Sequence, residues 1–419
     1  MLIENTKINY SIAKKGDDFV GFEIKQSNCS ITFPMGYDNS NFSESINLMN
    51  SAQILISALT DYGNKFEGEL DSSIINENLK SNFPINACIF LIRDFLQNGY
   101  YSEKQKTFYK DTKGKIDWRR TIKQVTPIIT NEKDLVFLDF IVQKSKLLEN
   151  ELITQIHKYC VWKAFSLLGF LYTTYIPQKP SIPFNKAYFI QVLKNYLSNS
   201  FSMKNNFLFY NMIAFLEHWN DTDDSTITIG TRSFEHIWEY MIDSVYGTYN
   251  KYPKEAFFPY AEWHIFDTQT KNHISGQDSS SLRPDTIFLD DENCFIIDAK
   301  YYRYKNINTA TLPPTESTAK QIIYGEYIDI NRHTFGFSEE MQIYNVFILP
   351  YNLKEKSLTP KYFGFSDASW KNTKNKSYYK IISLLLDTKT LMENYLQPSK
   401  LAKIQLKKTV QSAHSLKDN

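Results

Sequence analysis

Two short motifs near residue 290 carry side chains that suit metal-assisted hydrolysis. Residues 296–302 read IIDAKYY, an apolar run with Asp298 and Lys300 two positions apart. In a strand these side chains point to the same face. Pro284-Asp285, the one Pro-Asp in the sequence, lies just upstream. Two carboxylates and a lysine at one place predict a site for a hard cation and an activated water.

A β-hairpin is the element that must position these groups. An apolar run at 286–289 and a longer one at 294–302 are separated by a polar cluster at 290–293. A turn centred between the second and third residues of that cluster places Asp285 directly opposite Asp298, with Cβ atoms roughly 5 Å apart. A change of one residue in turn length would destroy this register.

The two carboxylates would repel each other without a cation between them, and Mg²⁺ is the ion that suits few oxygen ligands and several waters. Lys300 would orient the attacking water or stabilise charge on a phosphate. The alternative is an exposed, salt-bridged strand face, because acid-x-Lys occurs three more times in the chain. The upstream Pro-Asp and the two isoleucines before Asp298 favour the metal site.

Helices are predicted on both sides of the hairpin. Apolar residues at helical spacing in 231–247 predict an amphipathic helix that Thr231 or Ser233 could cap and Gly247 could end. Residues 319–328 predict a second helix, with Lys320, Gln321 and Tyr324 on one side, and 343–352 predict a further strand. The helical acids Glu235 and Glu239 share one flank, and solvated acids are an equal alternative.

Composition bounds the class of protein. The 419 residues are 42% hydrophobic, and 47 basic against 46 acidic side chains give a net charge of +1. A DNA surface would therefore be a local patch. Four separated cysteines and no apolar leader favour a soluble cytoplasmic protein with free thiols. The run at 160–176 contains a lysine and predicts a buried helix rather than a membrane span.

Four segments are predicted along the chain. Residues 1–80 have strand-like runs and then a helical pattern. Residues 81–220 are mainly helical, including the long apolar stretch from residue 132, and are interpreted as a domain for recognition or docking. Residues 219–230 are polar and predict a linker or the entry into a second domain. A catalytic domain is predicted at 225–400, and 401–419 read as a solvated basic tail.

The pattern from Pro284-Asp285 to Asp298-Ala299-Lys300 resembles the PD-(D/E)xK nuclease signature. With FExIWE, KQxxY, FPMGY at 33–37 and GKIDWRRTIK at 114–123, the chain resembles the LlaJI restriction endonucleases, which are related to McrC, the nuclease subunit of McrBC systems. The resemblance implies an α/β fold: a PD-(D/E)xK C-terminal domain, a mixed sheet flanked by helices, after an N-terminal mixed β/helical region.

The resemblance also implies roles for individual residues. Asp285, Asp298 and the Ala299 carbonyl would bind Mg²⁺, and Lys300 would assist the attacking water. Glu235, or as second choice Glu239, would add a helical carboxylate, and Gln321 would support the site.

Contacts with double-stranded DNA are predicted for a basic segment around one aromatic residue, and for two residues beside the site. A solvated helix with its tryptophan in the core is the alternative for the segment. The candidates are Lys115, Trp118, Arg119, Arg120, Lys123, Tyr301 and Lys320.

Three functions remain open at this point. The first is an autonomous type II-like, site-specific endonuclease of a phage-defence system, which should act as a homodimer. The second is a McrC-like subunit that cuts only with a separate McrB-like AAA+ GTPase; the chain has no GxxxxGK[ST] motif of its own. The third is a non-catalytic DNA-binding module, which the intact Asp285, Asp298 and Lys300 disfavour.

Overall fold

A computed structural model describes most of the chain. It covers residues 7–25, 28–67, 84–129, 134–148, 151–218, 227–248, 252–269, 271–304, 309–354, 357–368 and 376–416. Its strands are β1 Lys7–Ile12, β2 Val20–Lys25, β3 Asn28–Phe33, β4 Glu103–Asp111, β5 Lys115–Ile116, β6 Ile128–Ile129, β7 Leu135–Val136, β8 Phe140–Leu148, β9 Ile227–Thr231, β10 Tyr260–Phe266, β11 His273–Ser281, β12 Thr286–Leu289, β13 Asn293–Ala299, β14 Gln342–Tyr351, β15 Lys361–Asp367 and β16 Lys380–Asp387. Its α-helices are α1 Ser45–Glu67, α2 Ile85–Asn98, α3 Trp118–Gln124, α4 Leu152–Leu168, α5 Lys186–Asn199, α6 Met203–His218, α7 Phe234–Tyr246, α8 Thr315–Ile330, α9 Thr388–Asn394 and α10 Lys400–Ser415.

The described residues divide into two compact units. Residues 84–218 form one unit, and residues 7–67 join residues 227–416 to form the other. Helices and sheets occur in both, so the predicted mixed α/β class is confirmed. The strands at the start of the chain thus share a unit with the C-terminal half.

The centre of the second unit is a five-stranded mixed sheet in the order β12-β13-β14-β16-β15. The three inner strands run parallel, and both edge strands are antiparallel to their neighbours. All seven residues of β13 are buried, as expected for a central strand covered on both faces. Helices α7, α8 and α10 pack against this sheet.

The hairpin register predicted from the turn is confirmed. Strands β12 and β13 pair antiparallel, with Thr286 opposite Ile297 and Leu289 opposite Cys294. The turn closes through a hydrogen bond from the Asp290 nitrogen to the Asn293 carbonyl. Continued by one residue, the same register places Asp285 opposite Asp298. The predicted helix before the hairpin is also confirmed as α7, whose six spaced apolar residues are all buried.

A second sheet in this unit has the order β1-β3-β2-β9. Strands β2 and β3 confirm the predicted strand-like runs near the N-terminus. Residues 219–230 were predicted to be a linker or the entry into a second domain. Residues 219–226 lie outside the described part of the chain, and residues 227–230 belong to β9, which pairs with β2, so the linker alternative is wrong for these four residues. Their alternation of threonine and isoleucine is a strand pattern that the polar residues before it obscured.

The unit of residues 84–218 combines helices α2, α4, α5 and α6 with a three-stranded sheet in the order β4-β8-β5. The helical prediction for the stretch that starts at residue 132 is wrong for its described residues up to 148. They contain β7 and β8, and β8 pairs with β4 along nine residues. Helix α4 begins only at Leu152 and is mostly buried. None of the helices in the described part of the chain is long and apolar enough to cross a bilayer.

The C-terminal segment is a packed helix and not a solvated tail. Helix α10 buries Ala402, Leu406, Val410 and Ala413, which recur at helical spacing on one face. It packs against α7, the edge strand β15 and its neighbour β16. The lysines of the segment lie around that apolar stripe, and their number hid the stripe in the sequence.

Candidate active site

The two candidate carboxylates meet where β12 begins and β13 ends. Asp285 lies immediately before β12, and its Oδ2 accepts a hydrogen bond of 2.7 Å from the backbone nitrogen of Ala299. The Asp298 carboxyl group lies close enough for its charge and hydrogen bonding to raise the pKa of Asp285. The hairpin therefore brings together two acids that are separated by twelve residues in the sequence.

The environment disfavours two negative charges at this place. Burial raises the pKa of Asp285 well above its usual range, and the negative charge of Asp298 raises it further. The hydrogen bond from Ala299 acts in the opposite direction but does not offset these effects. Ionisation of Asp285 beside Asp298 is therefore disfavoured unless a cation balances the two negative charges.

Lys300 supplies a positive charge at the same place. Its Nζ lies 2.9 Å from Asp298 Oδ2, and its backbone nitrogen donates to the Ile348 carbonyl of β14. Burial alone would lower the pKa of Lys300, but the charge and hydrogen bond of Asp298 and the charge of Asp285 outweigh it and raise the pKa. Lys300 is therefore an ammonium cation, suited to orienting groups and balancing charge rather than to accepting a proton.

The donor set fits a hard cation with few protein ligands. No three histidine, cysteine or acidic residues within the described ranges cluster as a complete metal site. The two carboxylates repel each other, and together they form a minimal set of oxygen ligands that Mg²⁺ can complete with water molecules. The Ala299 residue is buried beside them, so its carbonyl stays a predicted third ligand.

Helix α7 carries the two acids predicted to complete the site. The charge of Glu239 contributes to the raised pKa of Asp285, whereas the charge of Glu235 adds to the effect of burial in raising the pKa of Tyr301. Glu239 also forms an ion pair with His236 at 3.5 Å. These interactions favour Glu239, the second choice from sequence, as the helical acid that acts on the carboxylate pair.

Gln321 lies behind the strand that carries Asp298. Its side chain is fully buried in α8, and its Nε2 donates a 2.7 Å hydrogen bond to the Ile296 carbonyl of β13. Asn345 of β14 donates in turn to the Gln321 and Tyr378 carbonyls. This placement makes Gln321 a residue that positions β13 rather than one that touches a substrate.

The two predicted DNA-contacting residues beside the site have different surroundings. Tyr301 is 6% exposed, and its hydroxyl accepts a hydrogen bond from the Met35 nitrogen. Its position is structural, and it offers DNA almost no surface. Lys320 is half-buried on α8 and forms an ion pair with Glu316 at 2.6 Å.

The basic segment lies in the other unit. Trp118 is 54% exposed, so the alternative that placed it in the core is wrong. Arg120 pairs with Asp117 at 2.7 Å and stacks on Phe108, 3.5 Å from the ring centroid. The remaining members of the segment, Lys115, Arg119 and Lys123, are exposed.

Three residues around the site were missed from sequence. The Nζ of Lys254 donates to the Asp285 carbonyl and lies 3.4 Å from the Asp243 carboxylate. The indole nitrogen of Trp238 in α7 donates a hydrogen bond to the Ile348 carbonyl, which also accepts the hydrogen bond from the Lys300 backbone nitrogen. Asn345 had a signal, since it interrupts a run of apolar residues in a predicted strand. The other two had none, because their roles depend on tertiary packing.

Comparison with known proteins adds family information. A family model for the LlaJI restriction endonuclease matches residues 19–370. The Bacillus subtilis (strain 168) protein named "Type II restriction enzyme BsuMI component YdjA" is 25% identical over 296 residues. That match covers 64% of this chain and 58% of the relative, so the chain spans less than two thirds of that protein.

A solved assembly of Thermococcus gammatolerans McrB AAA+ hexamers with bound McrC aligns with 94% of this chain and 82% of the matched chain. The identity is 12% and the TM-score is 0.37, a likeness too weak to support an argument about fold or function. The family model, in contrast, covers most of the sequence. The chain therefore belongs to the LlaJI restriction endonuclease family.

Proposed function

We propose that this protein is a Mg²⁺-dependent endonuclease of a bacterial restriction system, which hydrolyses phosphodiester bonds in double-stranded DNA in the cytoplasm. The observation that carries the proposal is the buried pair of Asp285 and Asp298 with Lys300 in contact. Family membership supports the same conclusion. The mixed sheet of the second unit is proposed to be a PD-(D/E)xK nuclease core, since its hairpin and central strand place the signature residues together.

Asp285, Asp298 and the Ala299 carbonyl are proposed to bind Mg²⁺. When bound, the ion supplies Lewis-acid stabilisation of charge on the scissile phosphate. A bound cation would favour the ionised form of Asp285, whose pKa is raised by burial and by the negative charge of Asp298. Lys300 keeps its proton, orients the attacking water through its N–H groups and balances negative charge in the transition state.

Residues that do not contact the metal site directly hold the hairpin that carries it. Gln321 fixes β13 through the Ile296 carbonyl, and Lys254 fixes the strand start through the Asp285 carbonyl. Glu239 is proposed as the additional acid facing the site, with Glu235 as the less favoured choice. The exposed basic segment of the other unit is proposed to contact DNA phosphates.

A second candidate is a nuclease subunit that needs another polypeptide, such as an AAA+ GTPase. The observation that favours it is the name of the Bacillus subtilis relative, which is called a component of its enzyme. The lack of a P-loop motif means that any nucleotide-driven step would need a separate chain. An autonomous type II-like enzyme acting as a homodimer is the first candidate.

Plasmid cleavage tests the proposal. Purified wild type, Asp298→Asn and Asp291→Asn are compared with Mg²⁺ and with EDTA. Asp291 is an exposed acid in the turn of the same hairpin and serves as the matched control. Mg²⁺-dependent cutting by wild type and Asp291→Asn, with none by Asp298→Asn, is expected. Equal cutting by all three would refute the assignment, and cutting only after addition of a partner protein would favour the second candidate.

A further inference from the structure

A cavity of about 540 Å³ lies in the second unit between the start of α8 and the β14-β16-β15 part of the central sheet. This volume is within the range of sites that bind small organic ligands. Six lining residues matter for its chemistry: Tyr304, Phe347, Phe363, Thr318, Ser366 and Ser383. None of them has a role in the proposed hydrolysis.

The cavity exists partly because β15 has a glycine at its wall. Gly364 follows an irregularity in the pairing of β15 with β16. It shares a strand face with Ser366, whose hydroxyl contacts Thr318 of α8, so this face points toward the helix. A Cβ atom built on Gly364 would meet nothing within 4 Å. The space is therefore open at a position where any other residue would project into it.

Aromatic rings form the apolar walls. The rings of Tyr304 and Phe363 contact each other with centroids 4.6 Å apart and an interplanar angle of 48°. Phe347 is almost fully buried in β14 and lines the same space. Flat aromatic walls favour a flat aromatic ligand, which they can contact face-on or edge-on.

Hydroxyl groups line the cavity beside these rings. The hydroxyl oxygens of Thr318 and Ser366 lie 3.3 Å apart, and either hydroxyl can donate a hydrogen bond to the other. Ser383 of β16, opposite Gly364, adds a third hydroxyl. Because a hydroxyl both donates and accepts, these groups can pair with the mixed polar edge of a heterocycle. Phe365 and Asp367 also line the cavity, although their positions alternate with those of Gly364 and Ser366 along β15, and Lys380 stacks on Phe365.

The cavity adjoins the candidate active site. Phe347 pairs directly with Asp298 across β13 and β14, and the Nζ of Lys300 lies 6.0 Å from the centroid of the Phe347 ring. A ligand against Phe347 would therefore be a near neighbour of a group bound at Lys300. This suits a part of the substrate rather than an unrelated molecule.

A second cavity, of about 530 Å³, shares Tyr304 with the first and includes the cationic residues Lys14 and Arg303. Its cations suit a phosphate, whereas the first cavity offers rings and hydroxyls. Adjacent positions in the chain, Arg303 and Tyr304, thus link a phosphate-binding surface with a ring-lined one. A nucleotide has an anionic phosphate and an aromatic base, so the cationic cavity suits its phosphate and the ring-lined cavity suits its base.

We propose that the cavity bounded by Tyr304, Phe347, Phe363 and Gly364 receives one unstacked base of the DNA substrate, with a neighbouring phosphate on Lys14 and Arg303. The inference rests on the proposed function as a DNA endonuclease. Removing a base from the duplex has a cost in lost stacking and pairing, which stacking on the rings and hydrogen bonds to the hydroxyls would offset. The site would therefore contribute to substrate selection beside the hydrolytic centre.

Photocrosslinking tests the proposal. Duplex DNA of mixed sequence carrying 5-iodo-2′-deoxyuridine is irradiated with the full chain in Ca²⁺, and crosslinked peptides are identified by mass spectrometry. Crosslinks at Tyr304 or Phe363 are expected. Gly364→Leu, which fills the cavity, should reduce them about tenfold or more, the size of one lost stacking interaction. Gly276→Leu is the matched control, because Gly276 is an exposed strand glycine with equally open surroundings.

A second variant with a smaller structural change tests the same cavity in case Gly364→Leu does not fold. Thr318→Val keeps the shape of the side chain, removes a hydroxyl from the cavity and should reduce the same crosslinks. Crosslinks confined to other parts of the chain, or unchanged in Gly364→Leu, would overturn the inference and leave the nuclease proposal standing. No crosslink anywhere would count against both. Labelling of the cavity by free 5-iodo-2′-deoxyuridine monophosphate but not by DNA would identify a free-nucleotide site and also overturn it.

Discussion

Replacing Asp285 with asparagine should make the metal-free protein more stable, although it should abolish cleavage. Two unit charges about 5 Å apart, the spacing of facing strand residues, repel by about 3 kcal/mol at an effective dielectric constant of roughly 20. Lys300 offsets part of this through its contact with Asp298. The asparagine oxygen can still accept the hydrogen bond from the Ala299 nitrogen. A gain of about 1–3 kcal/mol in the free energy of unfolding is therefore expected.

The pH dependence has a defined sign. Because the pKa of Asp285 is raised in the folded state, the native protein holds a proton that the unfolded chain releases above about pH 4. Wild-type stability should therefore fall as the pH rises through the window from that value to the raised native pKa. The advantage of Asp285→Asn should be absent below about pH 4 and grow across the same window.

Thermal unfolding in EDTA and in millimolar Mg²⁺ measures this effect. Each kcal/mol should raise the midpoint by about 2–4 °C in a unit of this size. Mg²⁺ should stabilise the wild type and narrow its difference from Asp285→Asn, because ligand binding favours the folded state that binds it. The control Asp291→Asn, in the exposed turn, should behave as wild type. A lower midpoint for Asp285→Asn in EDTA, or equal stabilisation of both proteins by Mg²⁺, would refute the electrostatic reasoning.

Three further changes test other parts of the account. Lys300→Met should lower the single-turnover cleavage rate by about 100-fold or more while Mg²⁺ binding measured by calorimetry persists; loss of binding instead would make Lys300 structural. Gly36→Ala should destabilise by about 2–3 kcal/mol in urea denaturation, because φ is +72° and the new Cβ would lie 2.6 Å from a backbone nitrogen of β14. Gly276→Ala, at an exposed strand position with open surroundings, should change the free energy of unfolding by less than about 0.5 kcal/mol. Leu406→Ala should cost about 2–5 kcal/mol because this α10 side chain is fully buried, whereas Leu401→Ala, at an exposed position of the same helix, should change stability by less than about 0.5 kcal/mol. Equal effects within either matched pair would contradict the packing described here.

The hairpin and its flanking helix were predictable because their signals are local. The polar turn fixed the register of β12 and β13, and a register error of one residue would have turned Asp298 away from Asp285. Helix α7 follows from six apolar residues at helical spacing. In both cases the information lies within about twenty residues.

Strand β8 and helix α10 were mispredicted for different physical reasons. The apolar run that contains β8 is compatible with the period of a helix or of a strand. Its strand form depends on pairing with β4, whose residues lie 29 to 45 positions earlier than their partners. Helix α10 has a narrow apolar stripe among many lysines, and only the sheet edge it covers shows that the stripe is buried. Both structures therefore depend on contacts with residues that are distant in the sequence.

The candidate site divides in the same way. Asp285, Asp298 and Lys300 follow from strand alternation and one turn. The preference for Glu239 over Glu235 depends on how α7 packs against the hairpin, since the two differ by about one helical turn. The contact of Lys254 with the Asp285 carbonyl depends on the fold alone.

The central claim is that Asp285 and Asp298 form a divalent-metal site. Anomalous diffraction from crystals soaked in Mn²⁺, a substitute for Mg²⁺ with similar oxygen ligands, tests it most directly. The account predicts an anomalous peak in contact with both carboxylates in the wild type and no peak there in Asp298→Asn. No peak between the two carboxylates of a wild-type protein that cleaves DNA with Mn²⁺ would contradict it.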